Sequence, residues 1–517
     1  MAASKFADIP VHKRKAPTAC GEPGERAPIV LVGGGPVGLT AALDLGRRGH
    51  DVVVLNQFDF IPAGSKAICY AKRTLDIWNR LGVVDRILDK GVIWNVGKVF
   101  HGGDPEPIYE FDMLPDKGQQ MPGFVNIQQY WVEDFLVDEL EPMDNVDLRW
   151  GHEVVGFDRT TNTVTVDATL GGSYTIAADW LLACDGARSK MREFLGLEFT
   201  TRVFEDNFLI ADVKFADQRP SERWFWFDPP WGGASALLHK QPDDVWRLDF
   251  QLGWDVDKAE AIKPENVEPY VKGMIGDDLK FDQEWYSVYT FQCGRLEKFV
   301  HDRVIFLGDS AQLVSPFGAR GFNGGIAEAE NLAWKLDAVL SGKADASLLE
   351  TYNEEAIAIA DENILNSTRS TDFLTPKSTA SRSIRNAVLE LARDHAFARP
   401  FVNSGRLSTP VTLPHGSLVI EDRDEWDAGI PPGRPVTDMP TEDGWLLKRI
   451  GGGWSLLCAG PVADAPVPVI ELDKDLAKQR FGLTNGGAYL IRPDRYVASR
   501  WKHFDAERDL KGMSLWA

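Results

Sequence analysis

The run Gly33-Gly34-Gly35-Pro36-Val37-Gly38 is a G-x-G-x-x-G pattern. Glycines at this spacing allow a tight turn and close backbone approach, so that the N–H groups and positive end of a following helix meet a pyrophosphate. Two further turns end apolar runs in an acid. Trp180-Leu181-Leu182-Ala183-Cys184 leads into Asp185-Gly186-Ala187-Arg188-Ser189, and Arg303-Val304-Ile305-Phe306-Leu307 leads into Gly308-Asp309-Ser310-Ala311. Read singly, either aspartate serves equally well as a helix N-cap. A carboxylate at Asp309 is also placed to accept hydrogen bonds from a polyol chain. The fourth motif is glycine-dense, Pro316-Phe317-Gly318-Ala319-Arg320-Gly321-Phe322-Asn323-Gly324-Gly325, and opens a helix. Its N–H groups suit an anionic ring edge.

These motifs need particular elements around them. Pro28-Ile29-Val30-Leu31-Val32 reads as a buried parallel strand before the first glycines. A helix follows, with Leu39, Ala42, Leu43 and Leu45 on its apolar side and Gly49 at its C-terminal end. Asp51-Val52-Val53-Val54-Leu55 is the second strand, which completes a βαβ opening. This context separates the first motif from a chance glycine turn. The second strand of such a unit usually ends in an acid that binds ribose hydroxyls. Here Asn56 and then Gln57 stand there, so the adenosine contact is either an uncharged amide or absent. The fourth motif leads into Ile326, Ala329, Leu332, Ala333, Leu336 and Leu340, one helical stripe.

Composition narrows the class. The 517 residues are 44% hydrophobic and 26% charged, with a formal net charge of −21. That fits a folded, acidic protein, and it disfavours a nucleic acid or an anionic membrane as partner. Cys20, Cys69, Cys184, Cys293 and Cys458 are scattered and form no CxxC pair, which suits a reducing cytoplasmic compartment and argues against a metal site. No apolar run reaches the length of a transmembrane helix or a signal-peptide core. Residues from about 200 to 295 are rich in Trp, Phe and Tyr and alternate like antiparallel strands. After about residue 399, Pro and Gly cluster in "GIPPGRPVTDMP" before a further α/β pattern.

Taken in order, the motifs resemble those of the FAD-dependent aromatic hydroxylases, the single-component flavoprotein monooxygenases that include phenol hydroxylase and para-hydroxybenzoate hydroxylase. "IVLVGGGPVGLTAALDLGRRGHDVVVL" is similar to their dinucleotide fingerprint, "LLACDGARSKMR" to their Asp-Gly motif and "RVIFLGDSAQLVSPFGARGFNGGIAEAENLAWKL" to their Gly-Asp motif. The resemblance implies an α/β fold: a Rossmann-like FAD-binding domain, an inserted mostly antiparallel β-sheet substrate domain and a C-terminal thioredoxin-like domain. The expected divisions are a flexible segment at 1–27, FAD-binding parts at 28–200 and 296–400, the substrate sheet at 201–295 and the thioredoxin-like unit at 401–517. "WSLLCAG" and "AYLIRPDRYVASRW" carry the last likeness, and the missing CxxC implies a structural role for it.

The resemblance also implies roles. FAD is the cofactor, NADH or NADPH the reductant and O2 the oxidant. Gly33, Gly35, Pro36, Val37 and Gly38 take the pyrophosphate, with Asn56 and Gln57 at the adenosine end. Gly308 and Asp309 take the ribityl chain. Pro316, Gly321, Phe322 and Asn323 lie at the isoalloxazine edge. Asp185 and Gly186 lie at the FAD entry, in a motif also tied to the nicotinamide. Arg73 lies beside the FAD, and Gln129, with Gln128 as the other candidate, contacts the flavin. The implied reaction delivers oxygen from a flavin C4a-hydroperoxide to a phenol, hydroxybenzoate or related ring, as in aromatic compound catabolism, and a homodimer is expected. Two readings stand beside it: a halogenase or oxygenase acting on a larger polyketide-like ring, and a non-catalytic FAD-binding sensor.

Two departures bear on the chemistry. The family's Asp-Ala-Ala-His is here Asp309-Ser310-Ala311-Gln312, and the acid that phenol hydroxylase carries shortly before the arginine matched by Arg73 is missing from "SKAICYAKR". The base must come from elsewhere. In Trp246-Arg247-Leu248-Asp249-Phe250-Gln251, alternation puts Arg247, Asp249 and Gln251 on one face. Asp249 is then a candidate base and Arg247 its partner for a phenolate or carboxylate, with His239 and Tyr289 as further candidates. The competing reading is an ordinary polar, solvated sheet face. The cluster Trp224, Phe225, Trp226, Phe227 and Trp231 suits either an aromatic pocket or sheet packing.

Overall fold

The computed structural model describes residues 9–64, 67–114, 116–215, 219–253, 255–315, 318–402, 409–462, 464–484 and 486–511. Pro316 lies outside the described residues. The apolar runs form a parallel sheet. Strand Glu25–Val32 pairs with Val52–Asn56 on one side, Ile29 opposite Val52, and with Gly172–Ala183 on the other, Ala183 opposite Val32. Val304–Phe306 joins Gly172–Ala183, also in parallel. Four strands thus end at one edge, where Gly33, Asn56, Asp185 and Gly308 follow their last apolar residues. In open α/β sheets that carboxyl edge is where ligands bind. Side chains such as Val30, Leu31, Val54 and Leu182 are fully buried, as strands covered on both faces must be.

Residues 9–27 are not the flexible segment expected. Val11–Arg14 pairs antiparallel with Phe60–Pro62, and Thr18 N–H donates to the Trp150 carbonyl at 3.0 Å. The basic run also meets an acidic helix, Gln129–Leu140: Lys13 reaches Asp134 at 2.6 Å, and Lys15 reaches Glu141, just past that helix, at 2.6 Å. Its mixed charge marks a partner rather than disorder.

A second sheet lies over the carboxyl edge. Its order is Gln312–Leu313, Asp282–Leu296, Phe199–Lys214, Val245–Gly253, Ser235–Lys240, Arg223–Phe227, Val96–His101, Tyr109–Asp112. All neighbours are antiparallel except Arg223–Phe227 on Val96–His101. It is therefore not confined to 201–295, since two strands come from the earlier part of the chain. One face, with Trp226, Leu238, Trp246, Leu248 and Phe250, packs under helix Pro264–Ile275. Most of the aromatic cluster is packing of this kind. The other face turns toward a small sheet of Cys69–Ala71, Phe124–Asn126 and Val92–Trp94.

The C-terminal part holds a four-stranded sheet in the order Val469–Glu471, Ser455–Cys458, Ala488–Ile491, Val497–Trp501. Leu456, Leu490 and Ala498 share a core with Trp334, Ala338 and Leu348 from two long helices, Arg320–Leu340 and Leu348–Leu374. Buried charges complete the contact. Arg492 reaches Glu355 at 2.6 Å, Lys335 reaches Glu355 at 2.7 Å, and Asp494 takes Arg492 at 2.7 Å and the Trp334 indole at 3.1 Å. Among the described residues no helix is long and apolar enough to cross a membrane.

Candidate active site

The glycines of the first motif have separate duties. Gly33 adopts φ +110°, and a Cβ there would collide with the Cys184 carbonyl, so the first and second motifs touch. A Cβ on Gly38 would collide with the Gly33 carbonyl. Gly35 instead faces open space with nothing within 4 Å, at the uncapped start of helix Pro36–Arg47. Asn56 lies over Gly34, whose Cβ would stand 2.8 Å from the Asn56 amide carbon, and Gln57 is exposed beside it. Val37 packs on Gly325, which brings the helix of the fourth motif against the first.

The third motif is a short turn, Gly308–Ser310, with Asp309 exposed. Beneath it Glu328 accepts from Gly308 N–H at 2.8 Å and from the Gln312 amide. Burial pushes the Glu328 carboxyl up to about 8, against the pull of those two donors. Gln312, the departure from the family histidine, is thus the partner of a buried glutamate. Asp185 takes Met191 N–H at 3.0 Å, and burial raises its carboxyl. It holds the start of helix Lys190–Leu195, while Gly186 makes the turn at φ +80°. Arg192 ties this motif to the third through the Asp309 and Ser310 carbonyls, at 3.2 and 3.0 Å. An open helix N-terminus at Gly35, an exposed carboxylate at Asp309 and a strand-end amide at Asn56 fit FAD.

On the other side, Asn323 is a hub. Its carbonyl accepts from Ala71 N–H at 2.9 Å and the Thr74 hydroxyl at 2.6 Å, and its amide donates to the Cys69 carbonyl at 3.1 Å. Gly321 precedes it in the first turn of helix Arg320–Leu340. Phe322, in the same first turn, sends its ring into the core, edge-on to Tyr70 and Trp78. Gln129 bridges Ala67 N–H at 3.2 Å and Glu133 at 2.8 Å, and Gln128 donates to the Pro242 carbonyl at 3.3 Å. Arg73 neighbours Asn323 and Gly324, but its guanidinium binds Glu330 and the Asp494 carbonyl and stacks over Tyr496. Glu330 is buried and draws Arg73 and Arg80 as counter-charges, so Arg73 serves the C-terminal contact rather than the glycine turn.

The polar face of the second sheet is not solvated. His239 is 2% exposed and Arg247 3%, because the small sheet covers them. Arg247 makes a two-pronged pair with Asp212, 2.8 Å on each prong. His239 Nε2 is 3.7 Å from Asp249 Oδ2, and its Nδ1 is 3.8 Å from Cys69 Sγ. Burial, with Arg223 and Arg247 nearby, holds the His239 imidazole well below its usual range, so the ring is neutral. Burial raises the Cys69 thiol to about 11 and the Asp249 carboxyl to about 6, the latter against Arg247. A carboxyl at about 6 is ionised at neutral pH yet basic enough to take a proton. Cys69 joins the two halves, its carbonyl on Asn323 and its thiol on His239. Tyr289 shares the face but is half-exposed. Burial and Asp309 raise its phenol, so it belongs to the Gly-Asp side. Sequence reasoning missed Arg223, which is buried at the start of Arg223–Phe227, and Asp212, the partner of Arg247. Alternation along R-W-F-W-F was the available signal for Arg223.

Comparison with known proteins agrees with this geometry. The profile of the family described as FAD binding domain matches residues 26–367. The chain is 29% identical over 450 residues to a 3-(3-hydroxy-phenyl)propionate/3-hydroxycinnamic acid hydroxylase of Mycolicibacterium gilvum (strain PYR-GCK), covering 83% of this chain and 75% of that one. It is 28% identical over 469 residues to a probable NADH-specific resorcinol 4-hydroxylase of Rhodococcus jostii (strain RHA1), covering 89% and 82%. Among solved structures, a flavin-dependent monooxygenase in complex with FAD and substrate superposes with a TM-score of 0.76 at 22% identity, over 93% of this chain and 97% of that one. The profile match, the ordered motifs and the arrangement of their turns agree: this chain belongs to the FAD binding domain family, in which it stands with the FAD-dependent aromatic hydroxylases that its motifs resemble.

Proposed function

We propose that this protein hydroxylates a phenolic ring, with FAD as cofactor, NADH or NADPH as reductant and O2 as oxygen source. The observation that carries the reading is the buried cluster Cys69, Arg223, His239, Arg247 and Asp249, joined through Cys69 to the Asn323 hub. The start of helix Pro36–Arg47 at Gly35 would hold the pyrophosphate and Asp309 the ribityl chain, with the backbone at Gly321, Phe322 and Asn323 along the ring edge. Bound FAD supplies acceptance of a hydride from the nicotinamide and activation of O2. The protein's part is to bind the phenol, exclude water and remove the hydroxyl proton, which raises the electron density of the carbons ortho and para to the oxygen. Asp249 is the base. Neutral His239 lies 3.7 Å from its carboxyl, and the closed Arg247–Asp212 pair fixes the strand that carries it. The reading extends to a homodimer and to a thioredoxin-like unit at 401–517 with a structural role, in keeping with its single cysteine, Cys458.

The test is NAD(P)H oxidation and O2 uptake by the FAD-loaded protein with a panel of phenols and hydroxybenzoates. One ring compound should accelerate both and be recovered with one added oxygen atom. A flavin-bearing protein that oxygenates none of them would overturn the reading.

A further inference from the structure

Glu328 has the burial of a core side chain and the chemistry of an acid. It lies fully buried in helix Arg320–Leu340, and no lysine, arginine or histidine pairs with it among the described residues. Its two oxygens take the Gly308 N–H at 2.8 Å and the Gln312 amide. An amide carries no charge, so Gln312 cannot neutralise a carboxylate there, as a charged histidine could. A buried carboxylate without a counter-charge is costly, and such a group takes up a proton instead.

The acid lies beneath the turns that fit FAD. Gly325, one helical turn before it, packs on Val37, and Val37 packs on Gly308. Val37 stands in the first turn of helix Pro36–Arg47, whose start at Gly35 faces open space. The surrounding groups come from four elements. Asp309, exposed on the short turn, opposes a second negative charge at Glu328. Tyr352, from helix Leu348–Leu374, donates its hydroxyl to the Phe306 carbonyl at 2.9 Å, and burial holds its phenol neutral. Burial also keeps the Cys184 thiol protonated, and Asp185 beside it is turned to the Met191 N–H. Arg192 brings a cation to the turn, but through the Asp309 and Ser310 carbonyls rather than through Glu328. Glu328 therefore gains and loses its proton at about 8, with nothing beside it to hold it ionised.

We propose that Glu328 is a positioning residue for FAD that works as a neutral acid: protonated, it holds the Gly308 turn without adding a buried negative charge beneath the pyrophosphate, and FAD binding draws a proton onto it from water. An O–H bond forms on the carboxyl as the dinucleotide arrives, and the proton returns to water when it leaves. The cause is electrostatic. The pyrophosphate is anionic at every pH where the protein is folded, and a like charge nearby disfavours ionisation of the acid. By linkage, whatever makes the acid harder to ionise in the complex makes FAD bind better to the protonated protein. FAD affinity is then highest on the acid side of this titration and falls as pH rises through it. This inference rests on the placement of the pyrophosphate at Gly35 and of the ribityl chain at Asp309.

The test is FAD titration of the full-length apoprotein from pH 6 to pH 9, followed by flavin fluorescence, with calorimetry in two buffers of different ionisation enthalpy to count protons. If binding shifts the acid by about one pH unit, the scale set by a like charge close by, FAD should bind about fivefold more weakly at pH 9 than at pH 6 and take up about half a proton at pH 8.5. Glu328→Gln is neutral at every pH and still accepts the Gly308 N–H. It should bind FAD equally at both ends of the range and take up no proton. Glu328→Leu, unable to accept that N–H, should bind about tenfold more weakly throughout; unweakened binding overturns the positioning role. An equal fall with pH in the unmodified and Gln proteins, or no proton uptake by the unmodified protein, overturns the assignment. Should the Gln variant not fold, the proton count on the unmodified protein decides. Failure of FAD to bind at any pH would instead bring down the placement of its pyrophosphate and ribityl chain.

Discussion

At the residue scale, Asp249 and Glu328 carry raised carboxyls with opposite consequences. Asp249 acts as a base only when ionised, so kcat/KM should rise with pH through about 6, where burial has placed it. Asp249→Asn should remove that limb of the pH profile and lower kcat/KM by about 10²-fold or more. Steady-state kinetics from pH 5 to pH 8 decide it: an unchanged limb would show that another group titrates. Glu328 bears on stability. Its folded carboxyl is raised from about 4.5 to about 8, so between those values the folded state holds a proton that the unfolded chain has lost. The contribution of Glu328 to stability is then fully present below about 4.5 and is lost as pH rises toward about 8. Glu328→Gln should flatten the fall in melting temperature between pH 5 and pH 8. The sequence pointed to Asp249 and Arg247 by alternation, yet it could not decide whether their face was wet. The strands that cover them, Cys69–Ala71 and Val92–Trp94, lie more than a hundred residues earlier. Arg223 escaped because four aromatic residues follow it and read as a packing cluster. Glu328 sits in a helical stripe with nothing local to mark it as the anchor of Gly308.

At the element scale, the glycine turn separates folding from binding. Gly33→Ala places a Cβ against the Cys184 carbonyl at a positive φ, so the turn itself must shift. That variant should melt earlier and bind FAD poorly. Gly35→Ala meets open space at an ordinary φ of −83°. The apoprotein should keep its melting temperature while FAD affinity falls, because the methyl group occupies the path of the pyrophosphate. Melting of both apoproteins and FAD titration separate the cases; equal FAD affinity in Gly35→Ala and the unmodified protein would remove Gly35 from the site. The βαβ opening was legible because each part is local: an apolar run, a glycine turn, a 3.6-residue stripe. The second sheet was legible only in part. Its antiparallel strands alternate visibly, but the parallel pairing of Arg223–Phe227 with Val96–His101 joins segments over a hundred residues apart, and no turn signal announces that. The strand Val11–Arg14 was missed because its order comes from Phe60–Pro62 and an acidic helix rather than from its own sequence.

At the scale of the whole molecule, the C-terminal part is held by buried charge as well as apolar contact. Arg492→Met leaves Glu355 with Lys335 as its one cation beside the Asn331 amide, and Asp494 without its guanidinium. Removing one partner from a buried pair costs about 3–5 kcal/mol, so this variant should melt well below the unmodified protein. Removing the exposed Arg26–Asp179 pair should change little, as surface pairs contribute about 0–1 kcal/mol. Calorimetry of both variants tests the contrast; equal melting points would mean that the network is dispensable. The same contact bears on how such proteins recombine. Trp334 and Lys335 belong to the helix that begins beside Asn323, and Glu355 to the next one, yet all three complete the C-terminal core and its charges. A chimera joined at the apparent boundary near residue 400 would pair one parent's tail with another parent's Trp334, Lys335 and Glu355, and would orphan charges wherever the parents differ at these positions. Exchange between relatives should succeed only when the two long helices travel with the tail, so the seam of inheritance runs through the flavin domain rather than along its edge.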